Sequence, residues 1–438
     1  MISDRRNFLI ASAAAWAMLP GCGVGQTTGR ILSPEEFGAK GDGRSNDTVA
    51  LQLCLDRAGS GDVVRLRKGA VYLVDTNWQP TLYQFGGLKL RSNRTLELNG
   101  AELRALPSRE VQGAVLQGFR TSGWKVRGPG KITGERHSHV GTAGEWGMGI
   151  ASFSSTDWEV SGGIEIAHCW GDGIYVGLNG SSSFSQRFLI DSVNIWDCRR
   201  NGISVVGGRD GRIRNVDIRD INGVAPQGGI DLEPDDVRLP NRNIAISGGR
   251  IGGDLQVGIY VTVANERISI SDMDIEAPNS GVLVSSVLSG VTISHCRIHS
   301  RVGGAEGAAI RTVGDAAKIA GLHITDNVLT GGGYFVVDIF GEGYRDIVVN
   351  NNKIQATNKG TQGIARVHHG SFRGNDCLIG RLAGKAGDYF VHFIDTDRGG
   401  NTYRNLSAYQ MYSAIRGGRD YGGDTYPGPR LIYRYEPG

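Results

Sequence analysis

The chain has 438 residues, 39% hydrophobic and 8% aromatic, which is enough apolar material for a real core. Its 47 Lys and Arg against 44 Asp and Glu leave a net charge of +3 with no basic run behind it, so neither nucleic acid nor a polyanionic membrane surface is implied as a partner. With 68 Gly against 12 Pro, it reads as an all-β chain punctuated by tight turns rather than a disordered one.

Residues 1–26 read as a targeting segment outside the fold: "SDRRNFLI", the apolar run "ASAAAWAML", then "PGC". Arg5 and Arg6 before Phe8 and Leu9 resemble a twin-arginine signal, and "LPGC" ending at Cys22 resembles a bacterial lipobox. The resemblance implies export in the folded state and lipidation at Cys22, hence a periplasmic or cell-surface bacterial lipoprotein that meets the membrane only through its anchor. The apolar run is too short to span a bilayer. Beyond it remain Cys54, Cys169, Cys198, Cys296 and Cys377. No CxxC occurs and no His falls at zinc-like spacing, which argues against a zinc site, and the odd count argues against a complete disulfide framework.

In "EEFGAKGDGRSNDTVALQLCLDRAG", Asn46, Asp47 or Thr48 is placed to cap a short amphipathic helix running to Ala58, with Val49, Leu53 and Cys54 on one side. An irregular insertion, "GERHSHVGTAGEW", carries His137 and His139 as candidate acid, base or ligand residues.

From residue 147 a repeat sets in: "GMGIASF", "GDGIYVG", "RNGISVV", "QGGIDLE", "QVGIYVT" and "NSGVLVS". Their aliphatic anchors are Ile150, Ile174, Ile203, Ile230, Ile259 and Val282, at offsets of 24, 29, 27, 29 and 23 residues. Second strands with period-two alternation lie between them, such as "RFLIDSVNIWDC", "RISISDMDI" and "GVTISHCRI". Short strands at this period, without helices between, bury their inward faces only by stacking as coils about 4.8 Å apart. The expected fold is all-β, a parallel β-helix with a short N-terminal capping helix over its open end. The β-helix is expected over 27–400, with a Gly- and Tyr-rich tail at 401–438 that packs on its outside or mediates association, possible trimerisation being left open.

"FGAKGDGRSNDT", the short helix and "GDVVRLRKGAVYLV" together resemble the opening of the pectate lyase superfamily group that includes rhamnogalacturonases, polygalacturonases and epimerase-like proteins. The resemblance implies a right-handed β-helix acting on a polysaccharide substrate. "GDGI" also resembles part of the polygalacturonase motif "NTDGID", which implies a catalytic-type role for Asp172, although "RRNGIS" stands in the next coil where that family carries paired Asp residues. "GGIDLEP" resembles the "YGFDPH" strand of mannuronan epimerases, with Asp231 at the Asp and Glu233 where the motif has His.

The repeat also assigns faces. With each anchor inward, the next residue points outward: Ala151, Tyr175, Ser204, Asp231, Tyr260 and Leu283. Asp231 and Glu233 then share an exposed face, roughly 7 Å apart along one strand. Asp172 lies two coils below, on the order of 10 Å away, with Arg199 and Arg200 on the coil between. Glu145, Trp146 and Gln227 enter neighbouring strands, Tyr175 and Tyr260 flank the acids, and Asp235 and Asp236 read as a solvated turn.

Three functions fit this groove. As a glycoside hydrolase, Asp231 is the general acid and Glu233 or Asp172 the base, with Arg199, Arg200, Tyr175, Tyr260, Gln227, Glu145, Trp146 and His139 binding substrate. No cofactor is then needed. As a lyase or C5-epimerase of uronic polymers, it needs a cation against the uronic carboxylate, either the arginines or Ca2+ held by Asp231, Glu233 and Asp235. As a non-catalytic lipoprotein, it binds polysaccharide without cleaving it. Cys169 and Cys198, at equivalent positions in adjacent coils, are expected to stack as core residues, with a disulfide conceivable.

Overall fold

The computed structural model describes residues 29–438 except 82–83, 179–182, 286–288, 303–306, 314–317, 382, 384–387, 429–431 and 436–438. The segment read as an export signal, Cys22 included, lies outside the described residues. The chain winds through about 13 coils of a parallel β-helix. A 14-stranded sheet forms one face and a 25-stranded sheet wraps the others.

The aliphatic anchors form one continuous ladder. Ile150 pairs with Ile174, Ile174 with Ile203, Ile203 with Ile230, Ile230 with Ile259, and Ile259 with Val282. The ladder continues through Ile310, Val337, Ala365 and Val391. It also extends back through Leu116 to Leu88. All of these side chains are buried in one core. Burial of a side chain the size of Ile is worth about 1.5–3 kcal/mol, so the stack drives coil addition and fixes register together.

The corners show how the chain turns between faces. His168, Asp197, Asp220, Asp272, His295, Asp326 and Asn351 all adopt the left-handed conformation, with φ of 52–59°. Asn and Asp tolerate that region because their short polar side chains bond locally. The residue after each corner turns inward and is buried: Cys169, Cys198, Ile221, Met273, Cys296, Asn327 and Asn352. Cys169 and Cys198 are free thiols.

Where this inner row becomes Asn, the buried amides satisfy one another. Asn327 Nδ2 donates to Ile293 O (2.9 Å) and to Asn352 Oδ1 (3.0 Å), which also accepts the Asn327 backbone N–H (3.0 Å). Asn375 and Asn401 repeat the arrangement, and Asp424 Oδ1 ends it by accepting the Asn401 N–H at 2.8 Å. The ladder gives each coil a directional bond that an apolar row lacks.

At the N-terminus, the helix Thr48–Arg57 covers the open end. Asp47 accepts the backbone N–H groups of Lys40 (2.6 Å) and Gly41 (3.0 Å), which ties down the "GAKGDGRSND" loop. Gln52 pairs with the Lys89 backbone through both amide atoms, at 2.7 and 3.1 Å, as another strand would. That contact sets the helix rotation: Leu51, Cys54 and Leu55 are buried, whereas Val49 and Leu53, expected beside Cys54, are 55% and 52% exposed. The C-terminal reading also changes. Strands Thr402–Asn405, Tyr412–Arg416 and Ile432–Tyr435 extend the two sheets, so coils run through the region expected as an outer tail.

Asn352→Leu removes the oxygen that accepts the Asn327 backbone N–H and should lower unfolding stability by about 2 kcal/mol or more. Urea titration checks this, and a midpoint equal to wild type would show that the amide ladder is dispensable.

Candidate active site

The strands Trp146–Phe153, Ile174–Gly177, Asn201–Val205, Gly228–Leu232 and Val257–Val261 lie side by side on the 14-stranded face. Over them opens a cavity of about 330 Å³, walled by Phe85, Gln112, Glu145, Trp146, Met148, Tyr175, Arg200, Val206, Glu233 and Asp235. Three carboxylates, one guanidinium and three aromatic rings meet there, a polar set within an apolar wall that suits a sugar ring.

Beneath this wall lies a second layer. Asp172 is fully buried; it accepts the Asn201 backbone N–H (3.0 Å) and ion-pairs with Arg200 Nη1 (3.2 Å). Burial pushes its carboxyl up to about 6, against the pull of Arg200, the Ser204 hydroxyl and the Asn201 N–H. Asp231, expected exposed, is only 1% exposed. Its Oδ2 accepts Asn201 Nδ2 at 3.1 Å, and its Oδ1 has no hydrogen-bond partner among the described residues. Burial and then the nearby charge of Glu233 push the Asp231 carboxyl up to about 7. The outward direction read from the repeat holds, as Asp231 pairs with Ser204 below and Tyr260 above. What the repeat did not reveal is depth: Asp231 is buried together with Asn201 and Ser204 of the coil below.

Two glycines leave room for neighbouring tyrosine rings. A Cβ on Gly177 would come within 2.3 Å of the Tyr175 ring, and one on Gly228 within 3.0 Å of the Tyr260 ring. Tyr175 therefore folds back along its own strand and hydrogen-bonds to Asp235. Its phenol is raised well above the usual range by burial, and further by Asp235 and Asp172. Tyr260 covers the preceding coil, its hydroxyl 3.4 Å from Pro226 O, and does not line the cavity.

Several expected contacts are redirected. Arg200 does line the cavity, its Nε 3.9 Å from Glu145 Oε2. Arg199 instead lies over the Trp170 ring at 3.8 Å and donates to Gly144 O (2.6 Å), holding the insertion in place. His139 is not in the cavity: its side chain is 1% exposed, stacked on Trp170 at 3.8 Å, with Nδ1 3.1 Å from Glu135 Oε1. Gln227 is a left-handed turn residue outside the cavity wall. Asp236 pairs with Arg238 at 2.6 Å, as a surface turn residue does, but Asp235 joins the cavity wall rather than the solvated turn. Asp231, Glu233 and Asp235 do not converge as a calcium cage. Among the described residues, the one group of three such side chains with ligand atoms within 4.8 Å of one another is His137, His168 and Asp197.

Sequence reasoning missed Phe85, Gln112 and Met148, and assigned no site role to Val206 or to the buried Asn201 and Ser204. Gln112 was findable, since it stands in register with Trp146 one coil earlier, but that coil precedes the visible repeat.

Comparison with known proteins agrees on architecture. Residues 149–354 match the family model described as right handed beta helix region. The protein YclG of Bacillus subtilis (strain 168) is 28% identical over 223 residues, a match covering 46% of this chain and 38% of that protein. This chain thus aligns with well under half of that relative's length. Among solved structures, the N-terminal fragment of bacteriophage Phi29 gene product 12 aligns over 92% of this chain and 72% of its own, with TM-score 0.54 and 12% identity. A tailspike protein of E. coli bacteriophage HK620 aligns over 89% of this chain and 66% of its own, at 0.53 and 13%. PfbA, a surface adhesin of Streptococcus pneumoniae, aligns over 90% and 93%, at 0.50 and 14%. These likenesses agree with the stacked coils and show the β-helix fold.

Proposed function

We propose that the protein is an extracytoplasmic polysaccharide-processing enzyme, a glycoside hydrolase working in the Glu145–Tyr175–Glu233 cavity. The observation that carries this reading is Asp231: a buried carboxyl raised to about 7, with one oxygen unpartnered among the described residues, two residues before the cavity carboxylate Glu233. A carboxylic acid that keeps its proton near neutral pH is what protonation of a leaving glycosidic oxygen requires. The HK620 tailspike, of like fold, was solved in complex with a hexasaccharide, which lends support to a saccharide ligand.

In the proposed reaction substrate entry uncovers Asp231, which otherwise lies beneath the cavity wall, and Asp231 then donates its proton to the glycosidic oxygen as the bond from that oxygen to the anomeric carbon breaks. Glu233 takes a proton from the water that forms the new bond to that carbon, so one water is consumed and the two carboxyls exchange protonation states. Their α-carbons stand roughly 7 Å apart, Glu233 following directly on the strand Gly228–Leu232, and inversion calls for the two carboxyl groups to lie about 6.5–9.5 Å apart with a water between them. Asp172, sealed under Arg200, acts as a positioning residue: its ion pair holds the guanidinium toward the cavity. Trp146, Phe85 and Tyr175 offer faces for sugar rings.

Arg200 in the cavity wall also favours a second reading, a lyase or epimerase in which it neutralises a uronic carboxylate. The raised phenol of Tyr175 makes it a poor base for that chemistry. A panel of neutral and uronic polysaccharides separates the readings. New reducing ends without ultraviolet absorbance support hydrolysis; unsaturated products support a lyase, and altered sugar composition without cleavage an epimerase. Retention on a polysaccharide column with no product would instead identify a binding protein.

Asp231→Asn should lower turnover by about 100-fold or more while circular dichroism stays unchanged. Full activity in that variant would remove Asp231 from the mechanism. For the wild type, activity should fall as pH rises through about 7, where Asp231 loses its proton. Stability gives an independent check. Because the folded carboxyl binds its proton more tightly than the unfolded one, Asp231 weakens the fold progressively as pH rises from about 4 to about 7. The Asp231→Asn variant should therefore gain stability relative to wild type over that interval in urea titrations at several pH values.

A further inference from the structure

Outside the cavity, three side chains from three separate segments meet at one corner of the coils. His137 comes from the insertion, while His168 and Asp197 occupy equivalent left-handed corner positions on successive coils, with φ of 57° and 52°. Asp197 Oδ2 lies 2.5 Å from both His137 Nε2 and His168 Nδ1. We propose that these two imidazole nitrogens and this carboxylate oxygen form a binding site for Zn2+ that fastens the insertion to the β-helix.

The surroundings support a built site. Asp197 uses its other oxygen, Oδ1, to pair with Arg136 Nη1 at 2.9 Å, and Arg136 Nη2 donates to Asn222 Oδ1 at 2.6 Å. That contact orients the carboxylate and leaves Oδ2 toward the imidazoles, as outer-sphere groups do in metal sites. The His168 ring stands edge-on to Trp196 at 4.4 Å, and the His137 ring edge-on to His168 at 4.9 Å, so the imidazoles are held by packing. Without an ion, the cluster is a hydrogen-bonded His–Asp–His chain. His137 is 65% exposed, and a solvated ion pair of that kind contributes little toward holding a loop.

A cation between the three atoms needs contacts of about 2.0–2.2 Å, which asks only for a small outward relaxation of the rings. Two imidazoles and one carboxylate suit a borderline divalent ion, whereas Ca2+ and Mg2+ require a cage of oxygens. The exposed side at His137 leaves a fourth position for water. Such a clip would order residues 135–146, at whose end Glu145 and Trp146 reach the cavity wall.

The test uses the full-length chain, stripped with chelator and titrated with ZnCl2 by calorimetry, with Co2+ as a spectroscopic probe. One equivalent should bind, raise Tm, produce visible Co2+ absorption and slow amide exchange across residues 135–146. Affinity should fall at least about 10-fold in His137→Ala, whose side chain is largely exposed, and in Asp197→Asn, which keeps the hydrogen-bonding shape. Absence of stoichiometric Zn2+ and Co2+ binding, or binding unchanged in both variants, would overturn the proposal and leave a hydrogen-bonded cluster.

Discussion

Everything in this protein depends on a single repeated contact, the parallel pairing of one coil's anchor with the next. A backbone ladder alone is indifferent to register. The aliphatic row from Leu88 to Val391 makes it specific, because sliding one coil by one residue would turn its buried side chains to the solvent and its polar ones to the core. The corner residues serve the same register from the other side. Left-handed turns at His168, Asp197 and Asn351 put each following residue inward, where thiols and apolar groups give way to hydrogen-bonded amides.

That rigidity allows the site to hold charge out of water. Asp172 and Asp231 are buried on a scaffold that cannot collapse around them, and both carboxyls are pushed upward chiefly by burial. Their partners differ. Asp172 has a guanidinium at 3.2 Å and a backbone N–H, so it is tied to the structure, while among the described residues Asp231 has only the Asn201 amide on one oxygen. Similar residues two coils apart thereby stand in different surroundings, one paired with Arg200 and the other beside the Asn201 amide.

The insertion is the element that breaks the repeat, and it builds one side of the cavity. Arg199 grips it at Gly144, Trp170 carries both Arg199 and His139, and His137 reaches the Asp197 corner. These contacts explain why Arg199 and His139 stand outside the wall of the cavity. A long cation and a flat ring near a groove have more use in fastening an irregular segment than in waiting for ligand.

Periodicity in the chain determined the fold, the anchors, the outward direction of Tyr175, Asp231 and Tyr260, and the coil that brings Arg200 beside Asp172. It did so because each depends only on alternation and on spacing between equivalent positions. Depth was decided by the tertiary structure alone: alternation gives the direction of Asp231 but not the packing that buries it together with Asn201 and Ser204. Convergence across irregular segments was likewise invisible. His137, His168 and Asp197 stand 31 and 29 residues apart, a spacing that reads as no metal motif until stacked coils and a folded insertion reduce it to a few ångströms.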